Sequence, residues 1–203
     1  MKKILISLLA ALLLPCGTLA WAEENAESTL VVYFSVAENS AVDITSSASV
    51  TSWNGETVGT ISVLANMIHD HVGGSLVSLD TSVEYLAETI IDFAAEEQER
   101  EDRPELIGTI ENWDSYDTVF VGYPTWWYDL PMVMYSFFDA YDFSGKTIIP
   151  FNTHNGSRFS GTIQTIEQLE PDATVITDGF TVNERDVAGA QEDIASWLSG
   201  LGY

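Results

Sequence analysis

Residues 117–131 read DTVFVGYPTWWYDLP and join a strand-like run to an aromatic loop. The first part, Asp117 to Tyr123, is apolar and rich in β-branched and aromatic residues, which predicts a buried strand. Two adjacent tryptophans follow on a segment bounded by prolines. Consecutive side chains of an extended chain point in opposite directions, so a surface loop leaves at least one of these rings in solvent. The segment predicts a stacking platform for a flat ring at the end of a strand. The alternative interpretation is a loop packed beneath a helix.

Strands and helices alternate along the rest of the chain. Further strands are predicted at residues 29–34, 75–79, 147–151 and 173–176, and helices at 60–72, 83–100, 131–141, 161–169 and 187–201. Gly73 and Gly74 end the first helix, and Pro131 is a favourable first-turn residue of the third. Such alternation predicts an α/β fold, with right-handed crossovers and a parallel sheet covered by helices on both faces.

Three loops with unusual composition leave the carboxyl ends of predicted strands. They span residues 35–60, 124–130 and 152–158. In open α/β sheets, ligands bind beyond the carboxyl ends of the strands, near the point where the strand order reverses. The three loops are therefore expected to meet at one binding edge.

The first 22 residues have the pattern of a secretory signal peptide. Lys2 and Lys3 precede the apolar run 4–14, and Ala20-Trp21-Ala22 is a small-residue cleavage site. The apolar run is shorter than the roughly 20 residues that span a bilayer. We expect a signal peptide over 1–22, a short linker over 23–28 and one domain over 29–203, exported to the periplasm or the extracellular space. Lipid anchoring through Cys16 is the alternative.

The composition excludes several kinds of partner and chemistry. The chain has 31 acidic and seven basic residues and a formal charge of -24, or about -26 without Lys2 and Lys3. Such a surface repels nucleic acid and anionic membranes. Cys16 is the single cysteine, so a chain cleaved after Ala22 has neither disulfides nor thiolate chemistry. Bound phosphate must be held chiefly by backbone amides and hydroxyl groups.

Residues 33–40, YFSVAENS, open from a strand into small polar residues and resemble the phosphate-binding loop of flavodoxins. Together with the Thr-Trp-Trp loop and the segment NTHNGS at 152–157, the resemblance extends from Thr29 to the last helix. It implies a flavodoxin-like three-layer sandwich, with a five-stranded parallel sheet of order 2-1-3-4-5. The long insertion before Gly59 departs from the family pattern, in which a short turn ends in Gly-Asn-Thr. Thr60 and Ile61 stand where that pattern has asparagine and threonine.

The resemblance implies FMN as the cofactor. Its phosphate would lie against the backbone amides and the positive end of the first helix. The implied phosphate-side residues are Ser35, Val36, Ala37, Asn39, Gly59 and Thr60. The implied ring-side residues are Pro124, Thr125, Trp126, Trp127, Tyr128, Asn152, Thr153, His154, Asn155, Gly156 and Ser157.

The leading hypothesis is an exported FMN-binding protein that transfers electrons to a redox partner protein or a small acceptor. One alternative is an NAD(P)H-dependent or partner-dependent reductase of a small acceptor such as a quinone. Another is an exported binding module that has lost FMN, which Glu38, Ile61 and the insertion favour. No catalytic residue is assigned. His69 and His71 suggest a metal, but side chains two positions apart on a helix do not share a face, so no metal site is expected.

Overall fold

A computed structural model describes residues 28–36, 50–53, 55–85 and 89–203 of the chain. The predicted signal peptide, Cys16, most of the linker, and Ala37, Glu38 and Asn39 lie outside the described residues. The helices are α1 (Thr60–Val72), α2 (Ile90–Arg100), α3 (Met132–Ala140), α4 (Thr162–Leu169) and α5 (Gln191–Leu201). Short 3₁₀ turns occur at Trp113–Ser115 and Val187–Gly189.

One parallel sheet forms the centre of the molecule. It contains β1 (Thr29–Tyr33), β4 (Ser75–Ser78), β7 (Thr118–Pro124), β8 (Thr147–His154), β9 (Thr174–Val175) and β10 (Phe180–Asn183). Their order across the sheet is β4-β1-β7-β8-β10, with β9 also paired to β8. Counted along the chain, the five main strands have the order 2-1-3-4-5. The predicted fold class and strand order are confirmed.

The central strands are apolar on both sides because both sides are covered. In β1, Leu30 and Val32 contact the core beneath α2, α3 and α4, whereas Val31 and Tyr33 contact the core beneath α1 and α5. All five residues of the strand are buried. The two cores account for the three-layer arrangement expected from the alternating pattern.

The fifth strand differs from the prediction. The segment predicted at 173–176 is only the short β9, and the sheet edge continues in β10 after a break at residues 176–179. The Ile176 amide donates to the carbonyl oxygen of Ile148. Alternate residues of a parallel strand direct their backbone groups to the same side, so Pro150 also faces this edge. Proline has no N–H to donate there, and the break lies opposite it.

Strand β8 extends further than predicted. Asn152, Thr153 and His154, expected in a loop, are its last three residues and pair with Thr181, Val182 and Asn183 of β10. The missing prediction of β10 explains the error, because these polar residues are kept in the strand by their partner.

Two smaller antiparallel pairs were not predicted. Strands β2 (Val50–Trp53) and β3 (Glu56–Gly59) form a hairpin inside the predicted loop 35–60. Strands β5 (Asp80–Thr81) and β6 (Leu106–Ile107) form the other pair. The Thr81 hydroxyl accepts the Val83 amide at 3.3 Å. This local turn occupies the residues where the second helix was expected to begin, and α2 starts only at Ile90.

A carboxyl group is buried where α2 meets the sheet core. Glu97 is 2% exposed and accepts the Tyr85 hydroxyl at 3.2 and 3.4 Å. Burial raises the pKa of Glu97 from 4.5 to about 7, and the Asp102 charge adds to the rise against the Tyr85 hydrogen bond and the Arg100 charge. Because this pKa is higher in the folded chain than in the unfolded one, ionisation of Glu97 destabilises the fold.

The substitution Glu97→Gln tests this consequence. Stability tied to protonated Glu97 is fully present below about pH 4.5 and is lost as the pH rises through about 7. We therefore expect the stability of the variant relative to the original chain to increase across this window and to level off above it. Urea unfolding at a series of pH values measures the difference. The exposed substitution Glu99→Gln is the control, and a pH-independent difference for Glu97→Gln would contradict the assignment.

Candidate functional site

The candidate site lies at the edge of the sheet where β1, β7, β8 and β10 end. The Thr125 amide, just after β7, donates to the Thr153 carbonyl oxygen at 2.9 Å. The Asn152 side-chain amide donates to the Thr125 hydroxyl and to the Arg158 carbonyl oxygen. The structure thus joins the loop after β7 to the end of β8 and to the loop that follows it.

The start of α1 reaches the same edge. Thr60, its first residue, has its hydroxyl oxygen 3.4 Å from that of Thr153. Ser35, Val36 and Thr60 are all buried, and the first turn of α1 contains no acidic residue. The first amides of a helix have no intrahelical acceptor and carry a partial positive charge of about half a unit. This end of the site is suited to an anion, with Gly59 directly before it.

The predicted aromatic loop is a tight two-residue turn. The Trp126 amide donates to the Asp129 carbonyl oxygen at 3.0 Å, and the Asp129 amide donates to the Trp126 carbonyl oxygen at 2.8 Å. Trp127 and Tyr128 between them have φ of 47° and 69°. Positive φ at both central residues is the pattern of a type I′ turn, which usually contains Asn-Gly. Left-handed backbone costs about 1 to 2 kcal/mol at each non-glycine residue.

The turn separates the two tryptophans. Trp126 is half-buried, and its ring meets those of Phe34 and Tyr85 edge-on at 5.7 and 5.4 Å. Trp127 and Tyr128 are 52% and 72% exposed. Trp126 therefore packs on the core, while Trp127 and Tyr128 extend into solvent. Strained residues of this kind cluster at binding sites, so the outward pair is the better candidate for contact with a ligand.

His154, at the end of β8, has a defined hydrogen-bonding state. The Gly156 amide donates to its Nδ1 at 2.8 Å, so the neutral ring carries its proton on Nε2. Burial, and secondarily the charge of Arg158, lower the pKa of His154. The half-buried ring is therefore a neutral Nε2–H donor at the binding edge.

The remaining predicted ring-side residues also lie at this edge. Pro124 is the buried last residue of β7. Asn155 and Gly156 are exposed in the turn after β8, and Ser157 is half-buried.

Four buried side-chain oxygens at the ends of strands have no hydrogen-bond partner among the described residues. Ser78 Oγ lies at the end of β4, and the other three, Asn152 Oδ1, Thr181 Oγ1 and Glu184 Oε1, lie near the ends of β8 and β10. Glu184 is 3% exposed, and burial raises the pKa of its carboxyl group. Buried polar atoms normally have a partner, supplied by protein, water or ligand. A ligand with N–H or O–H donors would fit these acceptors.

Thr181 and Glu184 were missed from the sequence because β10 was missed. The signal that could have revealed them is the alternation in Phe180-Thr181-Val182-Asn183. This pattern indicates a strand, and Glu184 immediately follows it.

The described residues do not assemble a metal centre. Among them, no group of three or more histidine, cysteine, aspartate or glutamate side chains could hold a metal ion. His69 and its neighbour Asp70 approach to 4.0 Å at the end of α1. Within the described part of the chain, no helix is long and apolar enough to cross a membrane.

Comparison with known proteins identifies the fold and the family. A flavodoxin family model matches residues 84–201, more than half of the chain. A solved structure from Bacteroides uniformis, provisionally described as a flavoprotein, has 24% identity and a TM-score of 0.67 and covers 86% of this chain and 99% of its own. A similarly described protein of Bacteroides eggerthii has 24% identity and a TM-score of 0.61, with coverage of 83% and 98%.

The structure of a Lactobacillus acidophilus flavoprotein in complex with FMN is also similar. It has 18% identity and a TM-score of 0.56, and the match covers 85% of this chain and 99% of that one. At these identities the solved structures show a shared fold. A search of curated proteins gave no match. The family-model match, together with the sheet order, shows that the chain belongs to the flavodoxin family.

Proposed function

We propose that this chain is an exported flavodoxin that binds FMN and transfers electrons to a partner protein or a small acceptor. The observation that carries the proposal is the turn at 126–129. It holds two exposed aromatic side chains in strained backbone, at the same sheet edge as the start of α1.

The anion-binding end suits the phosphate of FMN. Ser35 and Thr60 supply hydroxyl groups, and the first amides of α1 supply N–H donors. Val36, Ala37, Asn39 and Gly59 are the other proposed contacts on this side. Lysine and arginine are scarce in the chain, so backbone amides and hydroxyls carry most of the binding.

The other end suits the isoalloxazine ring and the ribityl chain. Trp127 and Tyr128 offer exposed faces for stacking, and His154 offers an Nε2–H donor. Asn152 Oδ1 and Glu184 Oε1 are buried acceptors that would pair with donors such as the imide N–H or the ribityl hydroxyls. When bound, FMN supplies the redox chemistry, and the protein supplies orientation and electrostatics. The shared fold of the Lactobacillus acidophilus protein in complex with FMN supports this choice of cofactor.

Removal of the Trp127 ring should weaken FMN binding. A lost aromatic stack of roughly 1 to 3 kcal/mol corresponds to about a fivefold to 150-fold rise in Kd for Trp127→Ala. Titration followed by flavin fluorescence measures it. The matched control is Tyr203→Ala, which removes an exposed ring at the end of the chain. Unchanged affinity for Trp127→Ala would remove the stacking role. An unaltered chain that stays colourless and refuses FMN would favour the binding-module alternative.

Bound FMN should have a lower reduction potential than free FMN. A protein with a formal charge of about -26 after removal of Lys2 and Lys3 disfavours the more negative reduced cofactor, and stacked aromatic rings act in the same direction. Potentiometry of the reconstituted protein measures the shift, which added salt should reduce by screening. A potential above that of free FMN would contradict the expectation. Steady oxidation of NAD(P)H by the purified protein would favour the reductase alternative.

Export rests on the signal-peptide pattern of residues 1–22. On expression of the full-length chain in a bacterium with a secretory pathway, we expect an exported product that begins at Glu23. Mass spectrometry of the exported fraction determines its first residue. A product that begins with lipid-modified Cys16 would support the anchored alternative, and an unprocessed cytoplasmic product would contradict export.

A further inference from the structure

The type I′ turn needs external support. Trp127 and Tyr128 occupy left-handed backbone without the freedom of glycine. Strained conformations of this kind persist only where the surrounding structure holds them in place. The contacts that hold the turn therefore determine where the two exposed rings are presented.

Gln98, in the last turn of α2, contacts the first residue of this turn and the residue that directly follows it. Its side-chain Nε2 donates to the Trp126 carbonyl oxygen at 2.9 Å and to the Leu130 carbonyl oxygen at 3.3 Å. A primary amide has two N–H donors, and here both are used. A glutamate at this position would face two carbonyl oxygens without a proton to donate.

The same helix makes a second contact. Trp127 Nε1 donates to the Ile91 carbonyl oxygen at 3.0 Å. Ile91 and Gln98 are seven residues apart, which is about two helical turns, so they lie along one side of α2. Glu97, beside Gln98, bonds to Tyr85, whose ring packs on Trp126. These contacts fix the position of α2 relative to the turn.

The Asp129 carboxylate makes further contacts that support the turn. It accepts the Leu130 amide and the Tyr135 hydroxyl, both at 2.8 Å, and lies 3.4 Å from the Thr165 hydroxyl. The turn is thus bonded to α2 and, through the Asp129 carboxylate, to α3 and α4. Of these contacts, only the Gln98 side chain donates to backbone carbonyl oxygens of this segment, at Trp126, which begins the turn, and at Leu130, which directly follows it.

We infer that Gln98 is a positioning residue that holds the strained turn in its binding geometry and so raises the affinity for the flavin without contact with it. The identity of the ligand in this inference rests on the proposed function. The effect of Gln98 on the turn rests only on the observed hydrogen bonds. It assigns α2, which lies outside the three predicted loops, a role in ligand affinity.

The test replaces Gln98 by alanine, a good helix former. Amide hydrogen exchange, measured by NMR in the cofactor-free protein, follows the Trp126 and Asp129 amides that close the turn. We expect exchange at both amides at least about tenfold faster, and an FMN Kd about tenfold higher by titration. Gln164→Ala, at an exposed position of α4, is the matched control and should change neither value.

A rescue variant separates support of the turn from general support of the fold. Tyr128→Gly removes the strain at φ 69° because glycine adopts positive φ freely. In the double variant Gln98→Ala/Tyr128→Gly we expect slow exchange at the Asp129 amide to return. FMN affinity should stay low, since one exposed ring is missing.

Each arm has an outcome that would overturn the inference. Unchanged exchange in Gln98→Ala, or faster exchange that Tyr128→Gly does not reverse, would show that Gln98 does not hold the turn. Faster exchange with unchanged FMN affinity would show that the geometry of the turn does not determine FMN affinity. Failure of the unaltered protein to bind FMN would instead overturn the proposed function, and the exchange measurements would still decide the role of Gln98.

Discussion

The parallel pairing of β7 with both β1 and β8 is the constraint on which the site depends. Parallel strands end at the same edge of a sheet, and here the pairing continues slightly beyond the strands. The Phe34 amide donates to the Gly122 carbonyl oxygen, and the Thr125 amide donates to the Thr153 carbonyl oxygen. Each loop therefore starts from a hydrogen-bonded position. Residues distant in sequence, such as Thr60 and Thr153, meet because the sheet places them together.

The sequence predicts strands well where a run of buried apolar residues is continuous. It predicts them poorly where pairing with a neighbouring strand determines the secondary structure. β1, β7 and most of β8 are short apolar runs, which are typical of strands in a parallel sheet covered on both faces. The division of the edge into β9 and β10 depends on the missing N–H of Pro150, a tertiary effect that strand-by-strand reading does not detect. The hairpin at residues 50–59 is a different case, because its two strands pair only with each other. Its sequence signal is local: Asn54-Gly55 stands between the two strands, and this dipeptide is typical of a two-residue hairpin turn.

In the candidate site, too, some features follow from the local sequence and others depend on tertiary contacts. The position of the aromatic loop follows from the strand before it, so the sequence suffices to place it. Which tryptophan faces outward depends on the positive φ of Trp127 and Tyr128, and Trp-Tyr is not a dipeptide that signals such a turn. Thr181 and Glu184 were missed for another reason, because the alternation that indicates their strand covers only residues 180–183 and its pairing with β8 is not visible in the sequence.

The strain in the turn has a consequence for binding. A flexible aromatic loop would lose conformational entropy when a ligand ordered it, and that loss would subtract from affinity. Here the backbone is already held by hydrogen bonds to α2 and to Asp129. The conformational entropy is therefore lost during folding and not on binding. Stability and affinity are then linked, because contacts that favour the strained turn also favour the bound geometry. Residues that never contact the ligand therefore contribute to its affinity, and they lie in helices that are hydrogen-bonded to the turn.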